Sequence, residues 1–223
     1  MYPGAVKATR GEETGFASGE QYSVSVYYTK DSYQDVRSYY VSEIGEPRME
    51  EDDGDRGKSS FFSYQRRMPE DIGVRISGRQ GRSRVPSRIF NSLNGLAVQG
   101  VIPESRVNEI REKYSYLERC YFVSEKDESG KLVAADELIY KRYEEKIGAG
   151  GVESESSEEV MERAQQLMAQ GRMQEATELL KKMQEGQLAG AELATSPRAA
   201  EMWVECLEEL AASAYDVSIT IYL

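Results

Sequence analysis

The strongest periodicity along the chain is helical and lies between residues 156 and 185. Apolar residues recur at helical spacing over 160–168 and again over 173–183, and Gly171 interrupts the pattern between them. Glycine is common where a helix ends. Ser156 and Glu159 have the spacing of a capping box, which satisfies backbone amides at the start of a helix. The pattern therefore predicts two helices joined by a tight turn.

Further helices are predicted from apolar stripes and from capping residues. One opens at Pro103, since proline is tolerated in the first turn, and its apolar stripe ends at Leu117. A short helix is predicted over 136–146. The last helix has Ser196 as its cap and Pro197 at its first position. Its apolar face consists of Met202, Trp203, Cys206, Leu207, Leu210 and Ala214.

Alternating apolar and polar positions predict strands at both ends of the chain. Residues 21–28 alternate strictly and read as a half-buried strand, whereas 33–44 fit either a strand or a short helix. Segments 120–124 and 131–133 are predicted to form a hairpin around a polar turn. The run 217–223 is strand-like, and we expect it to pair with the N-terminal strands or with a neighbouring protein.

Other stretches are predicted to be irregular. Residues 1–20 have few apolar anchors and read as an extended arm, and 45–60 read as an acidic loop. Asn94-Gly95 is a turn signal within the apolar run 90–100. Residues 186–196 are expected to form a loop or a frayed helix.

Together these elements predict an α+β fold with a small strand-containing N-terminal part, a helical C-terminal part and long irregular arms. We expect an extended arm over 1–20 and a small α+β region over 21–147. A Gly/Ser/Glu linker over 148–157 then leads to a helical region with a strand-like tail over 158–223.

The helical hairpin over 156–185 resembles a single tetratricopeptide (TPR) repeat. Small and apolar residues carry the resemblance: Ala164, Leu167, Gly171, Ala176 and Leu180. The chain departs from that family at Val160, where the family has tryptophan, and at Met183, where it has a small residue. A second repeat would bring another glycine where Glu205 stands. The resemblance implies a peptide-binding hairpin, and an ordinary helical hairpin is the alternative.

Composition and charge narrow the possible functions. The 223 residues carry a net charge of −11, with 39% apolar and 30% charged residues. Such a balance predicts a small core and segments that fold against partners. The 15 tyrosines suit either strand faces or a protein interface. The acidic balance is not typical of general nucleic-acid binding.

The chemistry available for catalysis is limited. The absence of histidine removes the commonest general base and metal ligand. Cys120 and Cys206 lack metal-binding spacing and are expected to be buried thiols in a reducing compartment. Segment 45–60 does not match a calcium loop, because Asp55 stands where that loop requires glycine. We therefore expect no enzyme activity, no metal and no cofactor, with a covalent adduct on Cys120 as the alternative.

The candidate partner-binding segment is residues 61–90, where arginines alternate with aromatic side chains. The candidate residues are Phe61, Phe62, Tyr64, Arg66, Arg67, Arg75, Arg79, Arg82, Arg84 and Arg88. Arginine pairs well with carboxylates at protein interfaces, and aromatic side chains fill pockets there. Internal pairing with the acidic loop and contact with RNA are the alternatives.

These features predict a non-catalytic structural or linker subunit of a large intracellular protein assembly. Linker polypeptides of photosynthetic antennae and accessory subunits of respiratory or ribosomal complexes are proteins of this type, by analogy only. The alternatives are a TPR-like adaptor or assembly factor that binds a partner peptide, and a component of an RNA–protein complex. No apolar run approaches about 18 residues, so we expect no transmembrane segment. The expected location is the cytoplasm or an organelle matrix or stroma, including the plastid.

Overall fold

The computed structural model of the chain describes residues 1–8, 13–17, 20–52, 54, 57–63, 73–127, 129–148 and 157–222. The fold is α+β, which confirms the predicted class. The strands are β1 (Val6–Lys7), β2 (Glu13–Ala17), β3 (Glu20–Thr29), β4 (Met49–Asp52), β5 (Lys58–Ser63), β6 (Gly73–Gly78), β7 (Ser124–Lys126), β8 (Leu132–Ala134) and β9 (Val217–Tyr222). The α-helices are α1 (Tyr33–Ile44), α2 (Val85–Val98), α3 (Glu104–Tyr114), α4 (Ala135–Gly148), α5 (Ser157–Ala169), α6 (Met173–Ala194) and α7 (Pro197–Ser213).

The chain forms two compact units, each assembled from separate stretches of sequence. The first unit consists of Met1–Ser87, Lys113–Leu138 and Glu209–Leu223, and it contains the described strands. The second unit consists of Arg88–Glu112 and Ile139–Glu208, and it is helical.

An antiparallel sheet organises the first unit. Its strands follow the order β1-β3-β9-β6-β5-β4, with β2 alongside β3. Strand β9 therefore lies between β3 and β6 and is antiparallel to both. This pairing confirms that the tail joins the N-terminal strands; Leu223 itself lies outside the described residues. The smaller hairpin of β7 and β8 confirms that the chain returns on itself there, but its first strand is Ser124–Lys126 and the predicted strand over 120–124 is wrong.

Helix α1 resolves the ambiguity over residues 33–44 in favour of a helix. The Ser32 hydroxyl accepts a hydrogen bond from the Asp35 amide at 3.2 Å and so caps the helix. The helix ends at Gly45, whose φ of 108° suits glycine alone. Val36 and Tyr40 of α1 are buried against the sheet.

The core of the first unit lies between α1 and one face of the sheet. Helix α1 packs against β5 and β6. The sheet contributes Phe62, Val74, Ile76, Val217, Ile219 and Ile221 to this core. Full burial of one such side chain contributes about 1.5–3 kcal/mol, so this cluster contributes strongly to the stability of the unit.

Two stretches predicted as irregular take part in the sheet. Strands β1 and β2 pair with β3, so the segment 1–20 is not simply an extended arm. Strands β4 and β5 pair with each other across the segment 45–60, so that segment is an acidic hairpin rather than a loop. Strand pairing satisfies the backbone amides of these polar stretches. A prediction that relies on apolar residues does not detect strands of this kind.

The turn predicted at Asn94-Gly95 is wrong, because α2 continues through it. Ile89, Leu93 and Leu96 are buried and recur at helical spacing. A glycine inside a helix costs only about 1 kcal/mol relative to alanine, and burial of this stripe outweighs that cost. Helix α3 begins at Glu104, directly after Pro103, as the sequence predicts.

The second unit contains the predicted helical hairpin. Helices α5 and α6 pack against each other, with Val160, Ala164 and Ala176 buried. Gly171 has a φ of 76° and ends α5. The hydrogen bonds from its amide to Met168 and from the next amide to Leu167 form a Schellman motif. Kinship of this hairpin to tetratricopeptide repeats stays a prediction.

The ends of the hairpin differ in part from the sequence analysis. Ser156 of the predicted capping box and residues 149–156 of the predicted linker lie outside the described residues, and the domain boundary there stays a prediction. Helix α6 continues to Ala194, so the helix alternative for 186–196 holds. The Ser196 hydroxyl accepts from the Ala199 amide at 3.4 Å, which confirms the predicted cap of α7.

Candidate functional site

The structure separates the candidate residues of segment 61–90 into different environments. Tyr64, Arg66 and Arg67 lie outside the described residues. Phe62 is fully buried beneath α1, so it is a core residue and its proposed contact with a partner is wrong. Successive side chains of a strand point to opposite faces, so Phe61 lies on the other face and is half-buried.

Arg79 begins a loop over residues 79–84, which we call the arginine loop. Its guanidinium donates to both carboxylate oxygens of Asp216, from Nε to Oδ1 at 2.9 Å and from Nη2 to Oδ2 at 3.3 Å. Its amide donates to the Asp216 carbonyl at 2.7 Å, and its guanidinium lies 5.2 Å from the ring centre of Tyr116. The hydrogen bond that the Arg79 guanidinium donates to Asp216 raises the pKa of Arg79. Arg79 is therefore engaged within the chain.

The backbone of the arginine loop is tied to residues 118–121. The Gly81 amide donates to the Arg119 carbonyl at 2.8 Å, and the Ser83 amide donates to the Glu118 carbonyl at 3.1 Å. The Gln80 amide donates to the Tyr121 hydroxyl at 3.2 Å. These three hydrogen bonds fix the backbone of the loop at residues 80, 81 and 83.

Gly81 is required by close packing rather than by its φ angle. A Cβ atom at this position would lie 1.9 Å from the carbonyl oxygen of Cys120. Any other residue would push the loop away from the segment that holds it.

A side-chain anchor completes the attachment of the loop. The Ser83 hydroxyl donates to Oδ2 of Asp136 at 2.6 Å and accepts from the Val85 amide at 3.2 Å. Asp136 is buried, and its burial raises the pKa of the carboxyl, an effect that the Ser83 hydrogen bond opposes. The other carboxylate oxygen of Asp136 has no hydrogen-bond partner within the described part of the chain.

The loop leaves Arg82 and Arg84, on either side of Ser83, exposed. The backbone amides of Gly81 and Ser83 are hydrogen-bonded to the body of the unit, and the arginine that follows each of them is exposed. Neither Arg82 nor Arg84 has an ion-pair or hydrogen-bond partner among the residues that the structure describes. The loop is thus held rigidly while two guanidinium groups remain available.

Two titratable groups close to the loop, the Cys120 thiol and the Tyr121 hydroxyl, are held in their neutral forms. Burial raises the pKa of the Cys120 thiol to about 12, and the nearby Asp216 carboxylate adds to this shift. Burial also raises the pKa of Tyr121 to about 12. A protonated thiol is a poor nucleophile, so Cys120 serves packing at this position.

A second exposed region lies on the sheet face opposite α1. The strand register aligns Met49, Phe61, Arg75, Thr220 and Val26 in one row across five adjacent strands. Arg75 and Met49 are exposed, and the other three are half-buried. The rings of Phe61 and Tyr222 meet edge to face with centroids 6.3 Å apart. This face presents a guanidinium among aromatic and apolar side chains.

Arg88 belongs to the second unit and is engaged there. Its guanidinium lies 3.8 Å from the ring centre of Tyr140, and that ring stacks on Trp203 at 5.3 Å. A cation stacked on a buried aromatic pair stabilises the helices that carry it. We therefore assign Arg88 to the packing of the second unit.

The described residues contain no cluster of three or more Cys, Asp or Glu side chains that could hold a metal ion. None of their helices is long and apolar enough to cross a bilayer. Comparisons with protein-family models, with curated proteins and with solved structures found no match.

Proposed function

We propose that the chain is a non-catalytic structural subunit that binds a neighbouring protein through the arginine loop. One observation carries the proposal: the loop is anchored at Gln80, Gly81 and Ser83, yet Arg82 and Arg84 are exposed. Binding must order both the backbone and the side chains of an interface loop, and a backbone that is already anchored removes its own part of that cost in advance.

The charge of the chain favours a specific contact over general attraction. Its net charge is −11, so the exposed arginines form a local positive site on an acidic protein. Arginine is enriched in protein interfaces, and charge complementarity sets orientation and partner choice there. A subunit that holds one neighbour in a fixed orientation needs such a site, and it needs no reactive group.

Site-specific photo-crosslinking tests this function in the cells that produce the protein. A benzophenone amino acid replaces Arg82 or Arg84 in the full chain, and the matched control replaces Arg106, which is exposed on α3. We expect one discrete partner to crosslink at the two loop positions and not at the control position. Equal crosslinking at all three positions, or none at the loop, would reject the proposal.

RNA binding is a second candidate, favoured by the sheet face that carries Arg75. Phe61 and Tyr222 lie together beside this cation, and aromatic side chains on a sheet can stack single-stranded bases at about 1–3 kcal/mol each. A titration with single-stranded oligouridine at several salt concentrations tests it. Phe61→Ala should weaken binding and Arg75→Gln should reduce its salt dependence. Absent binding, or binding unaffected by Phe61→Ala, excludes this candidate.

A further inference from the structure

We infer that strand β9 controls the arginine loop: the first half of the loop, residues 79–81, is held in place only while β9 is docked in the sheet. The inference rests on the proposed function and specifies how that site is regulated, because the partner then binds well only to the chain with β9 docked. It depends on contacts of the two residues that directly precede β9, Tyr215 and Asp216.

Asp216 makes the first connection, through hydrogen bonds that Arg79 donates. The Arg79 amide donates to the Asp216 carbonyl at 2.7 Å, and the guanidinium donates to both carboxylate oxygens at 2.9 and 3.3 Å. Asp216 is itself tied to the sheet, because its amide donates to the Thr29 carbonyl of β3 at 3.1 Å. The same residue therefore holds the start of the loop and the entry of the chain into β9.

Tyr215 makes the second connection, through Tyr121. The two residues exchange a pair of backbone hydrogen bonds at 2.9 and 3.0 Å. Both of their rings lie against the ring of Tyr28, with centroids 5.3 Å away for Tyr121 and 6.0 Å away for Tyr215. The Tyr121 hydroxyl accepts from the Gln80 amide, and the segment that leads to Tyr121 accepts from the Gly81 amide. Release of Tyr215 therefore loosens the surface that anchors both amides.

The backbone of Arg79 gives the loop a reason to move when these contacts are lost. Its φ is 46°, in a region that residues other than glycine rarely adopt. Such a conformation persists only where the surrounding structure imposes it. The hydrogen bonds to Asp216 impose it here, so their loss favours an ordinary φ, which turns the following residues in another direction. Arg79 is thus the hinge of the loop.

The second half of the loop is held by other elements. The Ser83 hydroxyl donates to Asp136 of α4 at 2.6 Å, and the Ser83 amide donates to the Glu118 carbonyl at 3.1 Å. Both partners lie outside β9 and the two residues before it. Undocking of β9 should therefore release residues 80–81 more than Ser83, and this gradient distinguishes control by β9 from a general loosening of the unit.

Amide hydrogen exchange of the full chain, followed residue by residue by NMR, tests the inference without a partner. Asp216→Asn removes the charge that pairs with Arg79 and keeps the shape of the side chain. We expect exchange at Gln80 and Gly81 to become about two- to fivefold faster, the factor that corresponds to the loss of a partly exposed ion pair. Exchange at Ser83 should change less.

Glu50→Gln is the matched control. It removes the charge of another ion pair in the same unit, which joins Glu50 to Arg37 rather than to the loop. Exchange at residues 80–81 should be the same in this variant as in wild type. Three results with Asp216→Asn overturn the inference: no increase at the loop, an equal increase at Ser83, or an equal increase throughout the unit.

Reciprocity provides a second test, since coupling between two sites acts in both directions. Gly81→Ala places a Cβ atom 1.9 Å from the Cys120 carbonyl oxygen and so pushes the loop away from the segment that holds it. We expect faster exchange at the Asp216 amide, which pairs with β3, and no comparable change in the β4–β5 hairpin. An unchanged Asp216 amide would contradict the coupling.

A proline in β9 tests the docking of the strand itself. Thr220→Pro removes a hydrogen bond from a strand that is paired on both sides, and it should release residues 80–81 almost completely. Protection of these amides in a folded Thr220→Pro chain would overturn the inference. If this variant fails to fold, Asp216→Asn still decides the outcome.

The inference and the proposed function fail in different ways. In the Asp216→Asn chain, photo-crosslinking at position 82 should give a lower yield than in the otherwise unchanged chain. A chain that captures no partner at the loop rejects the structural-subunit function, and the exchange measurements still test the control by β9. Unchanged loop exchange in Asp216→Asn overturns the inference and leaves the function intact.

Discussion

The Arg79 guanidinium and the Asp216 carboxylate form a two-point ion pair across 137 residues of sequence. Arg79 directly follows β6, and Asp216 directly precedes β9, so the pair closes the end of two neighbouring strands. Arg79 is also the one residue other than glycine with a positive φ, 46°, among those that the structure describes. The contact holds this residue in a conformation that side chains rarely adopt.

A double-mutant cycle should detect coupling between these two residues. With Arg79→Gln and Asp216→Asn, we expect a coupling energy of about 0.5–1 kcal/mol, near the upper range for partly exposed pairs because the contact has two points. Urea denaturation of the four proteins measures it. The exposed i,i+3 pair Arg198–Glu201 is the control, with about 0.2–0.5 kcal/mol expected. A coupling no larger than the control's would contradict the structural role.

Gly81→Ala and Gly95→Ala should change stability in opposite directions. The new methyl group at position 81 meets the Cys120 carbonyl at 1.9 Å, so we expect a loss of about 1–3 kcal/mol. Gly95 lies in α2 with open space around it, and alanine there should stabilise the helix by about 0.5–1 kcal/mol. Thermal unfolding of both variants measures the shifts. Equal effects would show that the arginine loop is not closely packed.

Asp136 should make folding less favourable as pH rises. Burial raises its folded-state pKa above 3.8, so the folded chain binds the proton more tightly than the unfolded chain. Its contribution is most favourable below the unfolded pKa and declines as pH increases through the raised value. Asp136→Asn keeps an acceptor for Ser83 and removes this titration.

Denaturant unfolding of wild type and Asp136→Asn, from about pH 3 to pH 7, measures that dependence. The stability of wild type relative to the variant should fall across the range just above the unfolded pKa. A difference that is constant, or that grows with pH, would show that burial does not control this carboxyl.

Cys120 should react slowly with alkylating reagents in the native chain. Its pKa is raised from 9.0 to about 12, which lowers the thiolate population by about a thousandfold. Mass spectrometry of iodoacetamide labelling, in native buffer and in denaturant, compares the two states. Asp216→Asn removes one of the charges that raise this pKa and should accelerate labelling. Equal rates in native and denatured protein would contradict the burial of the thiol.

Local pattern predicts much of the fold. The alternation over 21–28, the cap at Ser196 and the stripe after Pro103 each correspond to an observed element, because each depends on neighbours in sequence. The turn at Asn94-Gly95 fails because packing of a buried stripe outweighs a dipeptide preference.

The candidate site is harder to predict from the sequence than the fold, because it depends on contacts between residues that are far apart in the chain. Alternation separates Phe61 from Phe62, but only the position of α1 shows which of them is covered. The same limit applies to Ser83 and Asp136, whose hydrogen bond spans 53 residues. Arg82 and Arg84 belong to the predicted segment 61–90, and they are exposed whereas Arg79 pairs with Asp216. The hydrogen bonds that hold the loop in this arrangement join residues far apart in sequence, so the local pattern has no signal for them.

The central position of β9 has a consequence for the synthesis of the chain. The ribosome makes β3 and β6 first, and the 137 residues from Arg79 to Asp216 take roughly 7–27 s to follow at ordinary elongation rates. During that interval the gap between β3 and β6 is unfilled, and their facing edges have unpaired amides and carbonyls that can recruit strands from other nascent chains. The yield of folded protein should therefore depend on how fast the part of the messenger RNA that encodes the helices between β6 and β9 is translated. It should also depend on chaperones that protect this gap.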